Sequence, residues 1–158
     1  MHFATSFFGL AAAASAVNAA AVTFKTLDDV TRQIIFTPSP GSPEIESVTV
    51  SSAQDTTVQF PDHYEGNFYA VTEGSEDKPG MLGELLFGGW MGFTYFDVSA
   101  IVDPNDKNGV KQMWPANTKE PMSGCESFPC NNAYYLPDDV QTKVTHEDHI
   151  ITTLGGSA

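Results

Sequence analysis

Three carboxylates, Glu84, Asp97 and Asp103, lie in a run of aromatic, strand-forming and glycine residues at positions 83–104. An ionised carboxylate is costly to bury unless it is paired or faces water, so apolar strands seldom carry several of them. Two neighbouring carboxyl groups are what glycoside hydrolysis requires, one as general acid and the other as nucleophile or base. The sequence therefore predicts an acidic groove, with Glu84 and Asp97 as the candidate catalytic pair and Asp103 as a third groove acid.

Trp90 lies next to these acids, in a glycine-rich connection at positions 88–92. Sugar rings stack their C–H faces on flat aromatic side chains, while their hydroxyl groups bond to acids and amides. We therefore expect Glu84, Trp90, Asp97 and Asp103 to form a ligand-binding set. The alternative is that the ring packs against neighbouring strands and that the acids face solvent or cap turns.

The same segment resembles a known family. Residues 94–99 read TYFDVS, and with Asp103 they resemble the FYDVSLVD segment of thaumatin-like proteins. Residues 82–84, LGE, are similar to that family's LAEF element, and a weaker similarity runs over residues 48–72. The sequence as a whole resembles the small secreted fungal members over most of residues 22–155.

This resemblance implies a β-sandwich whose acidic cleft binds β-1,3-glucan, with weak glucanase activity in some members. It assigns Glu84 and Asp97 to that cleft. Asp103 follows Asp97 by six positions where the family has five, and Val71 occupies the place of the cleft arginine. We therefore expect a protein that binds cell-wall carbohydrate and is not an efficient enzyme. The alternatives are a weak endo-β-1,3-glucanase that uses Glu84 and Asp97, and a secreted effector or antigen that binds a host protein.

Residues 1–19 are typical of a secretory signal peptide, because an apolar run at 7–16 is followed by small residues that suit cleavage. The run is shorter than the roughly 20 apolar residues that a membrane span needs. We expect residues 20–158 to form one secreted domain, located outside the cell or in the cell wall.

The net charge of −13 limits the possible partners. We expect neither nucleic acid nor anionic membrane as a partner, because the chain has only seven Lys and Arg residues in total to neutralise phosphates. A neutral polysaccharide or a basic host protein meets no such repulsion, and we expect a monomer. We expect no cofactor and no metal, since the two histidines at positions 146 and 149 would point to opposite faces of a strand.

Short strands separated by turn signals predict an all-β sandwich with a loop-rich C-terminal part after residue 102. Two of the predicted strands, 46–51 and 56–60, alternate apolar and polar residues around a polar turn and predict a hairpin. The other predicted strands cover residues 21–25, 33–37, 66–72, 81–87, 93–100, 110–114, 140–144 and 149–154. Cys125 and Cys130, the only cysteines, predict a local disulfide in a secreted protein.

Overall fold

The computed structural model describes residues 20–156, and the predicted leader at 1–19 lies outside them. The described chain is all-β, as the sequence predicts, apart from a short 3-10 helix at Trp90–Gly92. No helix within it is long and apolar enough to cross a membrane. The strands are β1 (Ala21–Thr26), β2 (Arg32–Pro38), β3 (Val48–Val50), β4 (Thr56–Gln59), β5 (Glu65–Thr72), β6 (Leu82–Leu86), β7 (Thr94–Ser99), β8 (Val110–Pro115), β9 (Ser123–Gly124), β10 (Lys143–Thr145) and β11 (His149–Leu154).

These strands form two sheets that pack face to face. One sheet has five strands in the order β4-β1-β11-β8-β9, and the other has six in the order β10-β7-β6-β5-β2-β3. Strands β1 and β11 pair in parallel, whereas their neighbours pair antiparallel. The first and last strands of the described chain therefore lie side by side in one layer of a β-sandwich.

The core lies between the sheets because the strands alternate buried and exposed side chains. In β2, Ile34 and Phe36 are buried, whereas Gln33 and Thr37 are exposed. The Phe36 ring meets the edge of Phe24 from the opposite sheet, with ring centroids 6.2 Å apart and planes inclined by 64°. Such edge-to-face contacts add about 0.5–1.5 kcal/mol to the free energy gained by burying the rings.

Arg32 is the largest fully buried side chain of the described chain, and its exposed fraction is 0%. Its guanidinium donates to both carboxylate oxygens of Asp28, each at 2.7 Å, and to the backbone oxygens of Val30 and Asn108. A bidentate pair with further carbonyl acceptors satisfies most of the donors of the guanidinium. Arg32 thus stabilises the sandwich, and it does not line the groove that contains Glu84 and Asp97.

The predicted hairpin of residues 46–51 and 56–60 is wrong. Strand β3 pairs with β2 in the six-stranded sheet, whereas β4 pairs with β1 in the five-stranded sheet. Between them Ser51 and Gln54 form an isolated bridge that turns the chain from one sheet to the other. Alternating residues specify a strand with one buried face, here at Val50 and Val58, but not which strand it pairs with.

The C-terminal part is loop-rich, and the Cys125–Cys130 disulfide is confirmed. The sequence did not predict the strand β9, which is only two residues long and has no periodicity to detect. The late strand predicted at 140–144 begins at Lys143, because the residues before it lie in a loop.

Candidate functional site

Glu84 and Asp97 lie directly opposite each other on neighbouring strands. Strand β6 pairs antiparallel with β7 in a register that sets Glu84 against Asp97, and Asn67 of β5 lies opposite Glu84 on the other side. Opposed residues of an antiparallel pair share a face and have Cβ atoms about 4.5–5.5 Å apart. The outer face of the six-stranded sheet thus carries a polar row of Asn67, Glu84 and Asp97.

Gly83 fixes which face Glu84 occupies. The fully buried Phe68 lies opposite Gly83, and a Cβ at this position would overlap the Phe68 ring. Leu85 on the other side of Glu84 is also buried, so alternation along β6 directs Glu84 outward. The glycine therefore lets β6 lie close to β5 and holds Glu84 in line with Asn67.

Asp97 is 6% exposed, although it lies on the outer face of the sheet. The loop before β10 covers it, and the Thr142 hydroxyl donates to Asp97 Oδ2 at 3.1 Å. The second carboxylate oxygen, Oδ1, is buried and has no donor among residues 20–156 when both carboxyl groups are ionised. A proton held between Asp97 and Glu84 would satisfy it.

Burial is the main reason that the pKa of Asp97 is raised to about 7, and a hydrogen bond to Glu84 and the charge of Glu84 raise this pKa further. The Thr142 hydroxyl and the charge of Lys143 act in the opposite direction. Two carboxyl groups in contact cannot both ionise readily, so they release their protons as a coupled pair. Below about pH 7 Asp97 therefore holds a proton, and its carboxyl group then offers both a donor and an acceptor.

The pair lines a groove of about 220 Å³ on the surface. This volume is smaller than the roughly 300–1,000 Å³ of pockets for drug-sized ligands, and it suits one small polar unit. Its polar lining includes three hydroxyl groups, an amide and a third acid, Glu65, and its apolar lining includes one aromatic ring. The side chains that matter here are those of Ser39, Asn67, Glu84, Leu86, Tyr95, Asp97 and Thr142.

Trp90 lies in the turn between β6 and β7 and is 75% exposed. Its neighbour Met91 has a φ of 57°, a left-handed conformation that turns the backbone sharply at this point. The Tyr95 hydroxyl donates to the backbone oxygen of Trp90 at 3.3 Å, and Gly89 packs on Leu86 and Tyr95. Since both of those side chains line the groove, the turn that carries Trp90 lies next to the groove, and the Trp90 ring is exposed to solvent.

Asp103 does not join the other predicted site residues. It lies in the loop after β7, where its carboxylate accepts a hydrogen bond from the backbone N–H of Asn105 at 3.0 Å. It is absent from the lining of the groove that contains Glu84 and Asp97. The structure therefore places Asp103 in a turn that its own side chain stabilises.

Sequence reasoning missed the polar partners of the acidic pair. Asn67 could have been found, because the alternation along β5 places it on the face opposite the buried Phe68. Ser39 and Thr142 lie in loops, and no periodic signal marks loop residues that fold over a sheet.

No model of a protein family matches this sequence. It is 62% identical over 139 residues to antigenic protein SchS21 of Stachybotrys chartarum. The matched region covers 88% of this chain and 96% of that protein. The chain belongs to the SchS21 family. In this member of the SchS21 family, the proton-sharing pair Glu84 and Asp97, with Trp90 beside it, is the best-defined candidate site.

Proposed function

We propose that this member of the SchS21 family is a secreted thaumatin-like protein that binds a cell-wall polysaccharide such as β-glucan, without efficient catalysis. The observation that carries the proposal is the Glu84–Asp97 pair, which lies in a small polar groove beside an exposed tryptophan. The two-sheet architecture and the sequence resemblance around residues 82–103 support the family assignment.

The chemistry of the groove suits a polyhydroxylated ligand. The shared proton leaves the pair with one donor and several acceptor sites near neutral pH. Adjacent sugar hydroxyls both donate and accept, and the Asn67 amide adds a further donor and acceptor to the same row. The Trp90 ring beside the groove offers a flat surface for the next sugar ring along a chain.

The same geometry favours binding over hydrolysis. The carboxyl groups of glycosidases lie about 5–5.5 Å apart in retaining enzymes and about 6.5–9.5 Å apart in inverting ones. Glu84 and Asp97 lie directly opposite each other on paired strands, and the charge of Glu84 acts on Asp97, so the two carboxyl groups face each other and not the two sides of a glycosidic bond. Only the pKa of Asp97, raised to about 7, favours the weak endo-β-1,3-glucanase alternative.

The test is binding of the purified protein, residues 20–158, to insoluble β-1,3-glucan, with chitin and cellulose as control polymers. We expect selective binding to glucan that is lost in the Glu84→Gln, Asp97→Asn double variant. Trp90→Ala should weaken binding by about tenfold, whereas Trp90→Phe, which keeps a flat ring, should retain most of it.

Glu76→Gln is the matched control for the acidic pair, because Glu76 is an exposed acid outside the groove that pairs only with exposed Lys78. It should bind like the wild type. If the wild type released reducing sugar and the single variant Glu84→Gln did not, the protein would be a glucanase and not a non-catalytic binding protein. Equal binding of the wild type and the double variant would contradict the proposal.

A host-protein ligand is the second candidate, because the relative SchS21 is named as an antigenic protein. Trp90 and Met91 are 75% and 71% exposed in one turn, and large exposed apolar side chains of this kind are frequent in protein interfaces. This candidate predicts no retention on any of the three polysaccharides, and saturable binding to a purified host protein that Trp90→Ala weakens.

A further inference from the structure

Lys111 is a buried lysine without an acidic partner. It lies in β8 and is 6% exposed, and none of the ion pairs within residues 20–156 includes it. Its ammonium donates no hydrogen bond to any side chain within residues 20–156, and Nζ lies over the Phe128 ring, 5.5 Å from the ring centre. Burial of an ammonium is costly unless a negative charge accompanies it.

The two acids whose charges raise the pKa of Lys111, Asp106 and Asp28, are already engaged. Asp28 is held by both terminal nitrogens of Arg32. Asp106 accepts three backbone N–H groups, one from Met81 at Oδ2 and those of Asn108 and Gly109 at Oδ1. Carboxylates whose oxygens are occupied in this way stabilise Lys111 through their charge but form no ion pair with it.

Lys111 opens onto a groove of about 480 Å³, more than twice the volume of the groove at Glu84 and Asp97. The Cys125–Cys130 loop forms one wall with Phe128 and Pro129, and Pro104 adds a further apolar surface. Its polar lining includes the side chains of Asn105, Lys107, Asn108, Glu126 and Ser127. The groove thus combines the ammonium of a mostly buried lysine, an aromatic ring and neutral hydrogen-bonding groups with a second lysine and two acids.

We infer that this groove binds a small organic monocarboxylate, whose carboxylate lies on the Lys111 ammonium and whose apolar part packs on Phe128 and the neighbouring prolines. This site is separate from the polysaccharide groove and does not depend on it.

The charge of the lining selects a single negative charge on the ligand. Lys111 and Lys107 attract an anion, whereas Asp106 and Glu126 line the same groove and repel it. A phosphate dianion would meet more of this repulsion and would leave the Phe128 ring uncovered. Burial lowers the pKa of Lys111, and a bound carboxylate would raise this pKa because it favours the charged form.

The test uses benzoate as the probe and NMR titration of the disulfide-intact protein, with benzyl alcohol and benzylamine as neutral and cationic controls. We expect benzoate to shift the signals of Lys111, Phe128 and Asn108 in a saturable way that weakens with added salt, and the controls to shift none of them. The pKa of the Lys111 ammonium, read from its side-chain signals, should rise when benzoate is bound.

Lys111→Met removes the charge but keeps most of the side-chain length, and it should weaken benzoate binding by at least about tenfold. Lys107→Met, at the exposed rim of the same groove, is the matched control and should weaken it by less than about threefold. The wild-type titration alone is informative even if Lys111→Met folds poorly. Benzyl alcohol binding as tightly as benzoate, or an unchanged Lys111 pKa at saturation, would overturn the inference.

Discussion

Asp28 and Asp97 are two aspartates held within the same sandwich, and their pKa values are shifted in opposite directions. Asp28 faces Arg32, whose hydrogen bonds lower the pKa of Asp28 to about 2. Asp97 faces Glu84 under a covering loop, and burial together with that carboxyl raises the pKa of Asp97 to about 7. The chain thus places one carboxylate where its charge is fully matched and another where its charge is opposed.

The difference separates structure from function. The Asp28–Arg32 pair gives both of its charges a partner and links the loop after β1 to Asn108 and to the backbone N–H of Gly156. The Glu84–Asp97 pair destabilises the fold at neutral pH, because one of its members must be buried as an anion or keep a proton. Both pKa values are shifted, but the shift of Asp28 comes from a satisfied ion pair, whereas Asp97 is opposed by a like charge and lines a groove, which is why the second pair is the candidate site.

Breaking the matched pair should have the largest effect. Arg32→Met should lower the free energy of unfolding by about 3–5 kcal/mol, because it leaves Asp28 without its bidentate partner. Urea denaturation at pH 7 measures the loss. Arg32→Lys, which restores one charge but not the planar fork, should lie between the variant and the wild type. An Arg32→Met protein as stable as the wild type would show that apolar packing replaces the pair.

The Glu84–Asp97 pair should lower the free energy of unfolding as the pH rises. The pKa of Asp97 is 3.8 before folding and about 7 after it, so the folded state binds the extra proton between these values. Its contribution to stability is complete below pH 4 and is lost as the pH rises through 7, by about 2–4 kcal/mol. Asp97→Asn should remove this loss and be more stable than the wild type at pH 8 in urea denaturation. Parallel pH profiles for the two proteins would contradict the assignment.

The fold was largely predictable from the sequence, whereas the contacts between distant segments were not. Strands such as β5 and β11 follow from runs of strand-forming residues bounded by turn signals, and the register of Glu84 with Asp97 follows from two adjacent strands joined by a short turn. Thr142 lies 45 positions from Asp97, and the sheet change between β3 and β4 depends on packing against different partners. Local patterns carry no information on contacts of this kind.

Asp28 should also make stability depend on pH, but at acid pH and in the opposite direction to Asp97. The pKa of Asp28 falls from 3.8 to about 2 on folding, so its contribution is complete above pH 4 and is lost as the pH falls through 2. The carboxylate is 18% exposed, which reduces the expected contribution to about 1–2 kcal/mol. Asp28→Asn should lose more than this amount at pH 7, because it also leaves the fully buried Arg32 guanidinium without a negative partner, and it should show a flatter acid limb in thermal unfolding between pH 4 and 2. If the variant and the wild type lost the same stability between pH 4 and 2, the Asp28–Arg32 pair would not be the cause of that loss.

Glu84→Gln separates the two reasons for the shift at Asp97. Removal of the neighbouring charge should lower the pKa of Asp97, but burial, which is the larger cause, should keep this pKa above 3.8. Stability at pH 8 should rise by about 1 kcal/mol because the repulsion is gone. Carbon-13 NMR of the carboxyl group measures the pKa directly. A return of the pKa to 3.8 would show that Glu84, and not burial, controls it.

The loop over Asp97 should have the smallest effect and the most specific one. The Thr142 hydroxyl donates to Asp97 Oδ2 and favours the charged form, so Thr142→Val should raise the pKa of Asp97 further. Thr142 is itself exposed, so stability at pH 7 should change by no more than about 0.5–1 kcal/mol. Thr142→Ser, which keeps the hydroxyl, should titrate like the wild type. Thr142 also lines the groove. Thr142→Val should therefore weaken ligand binding if the ligand binds the charged form of Asp97, and should leave binding unchanged if the ligand binds the protonated form.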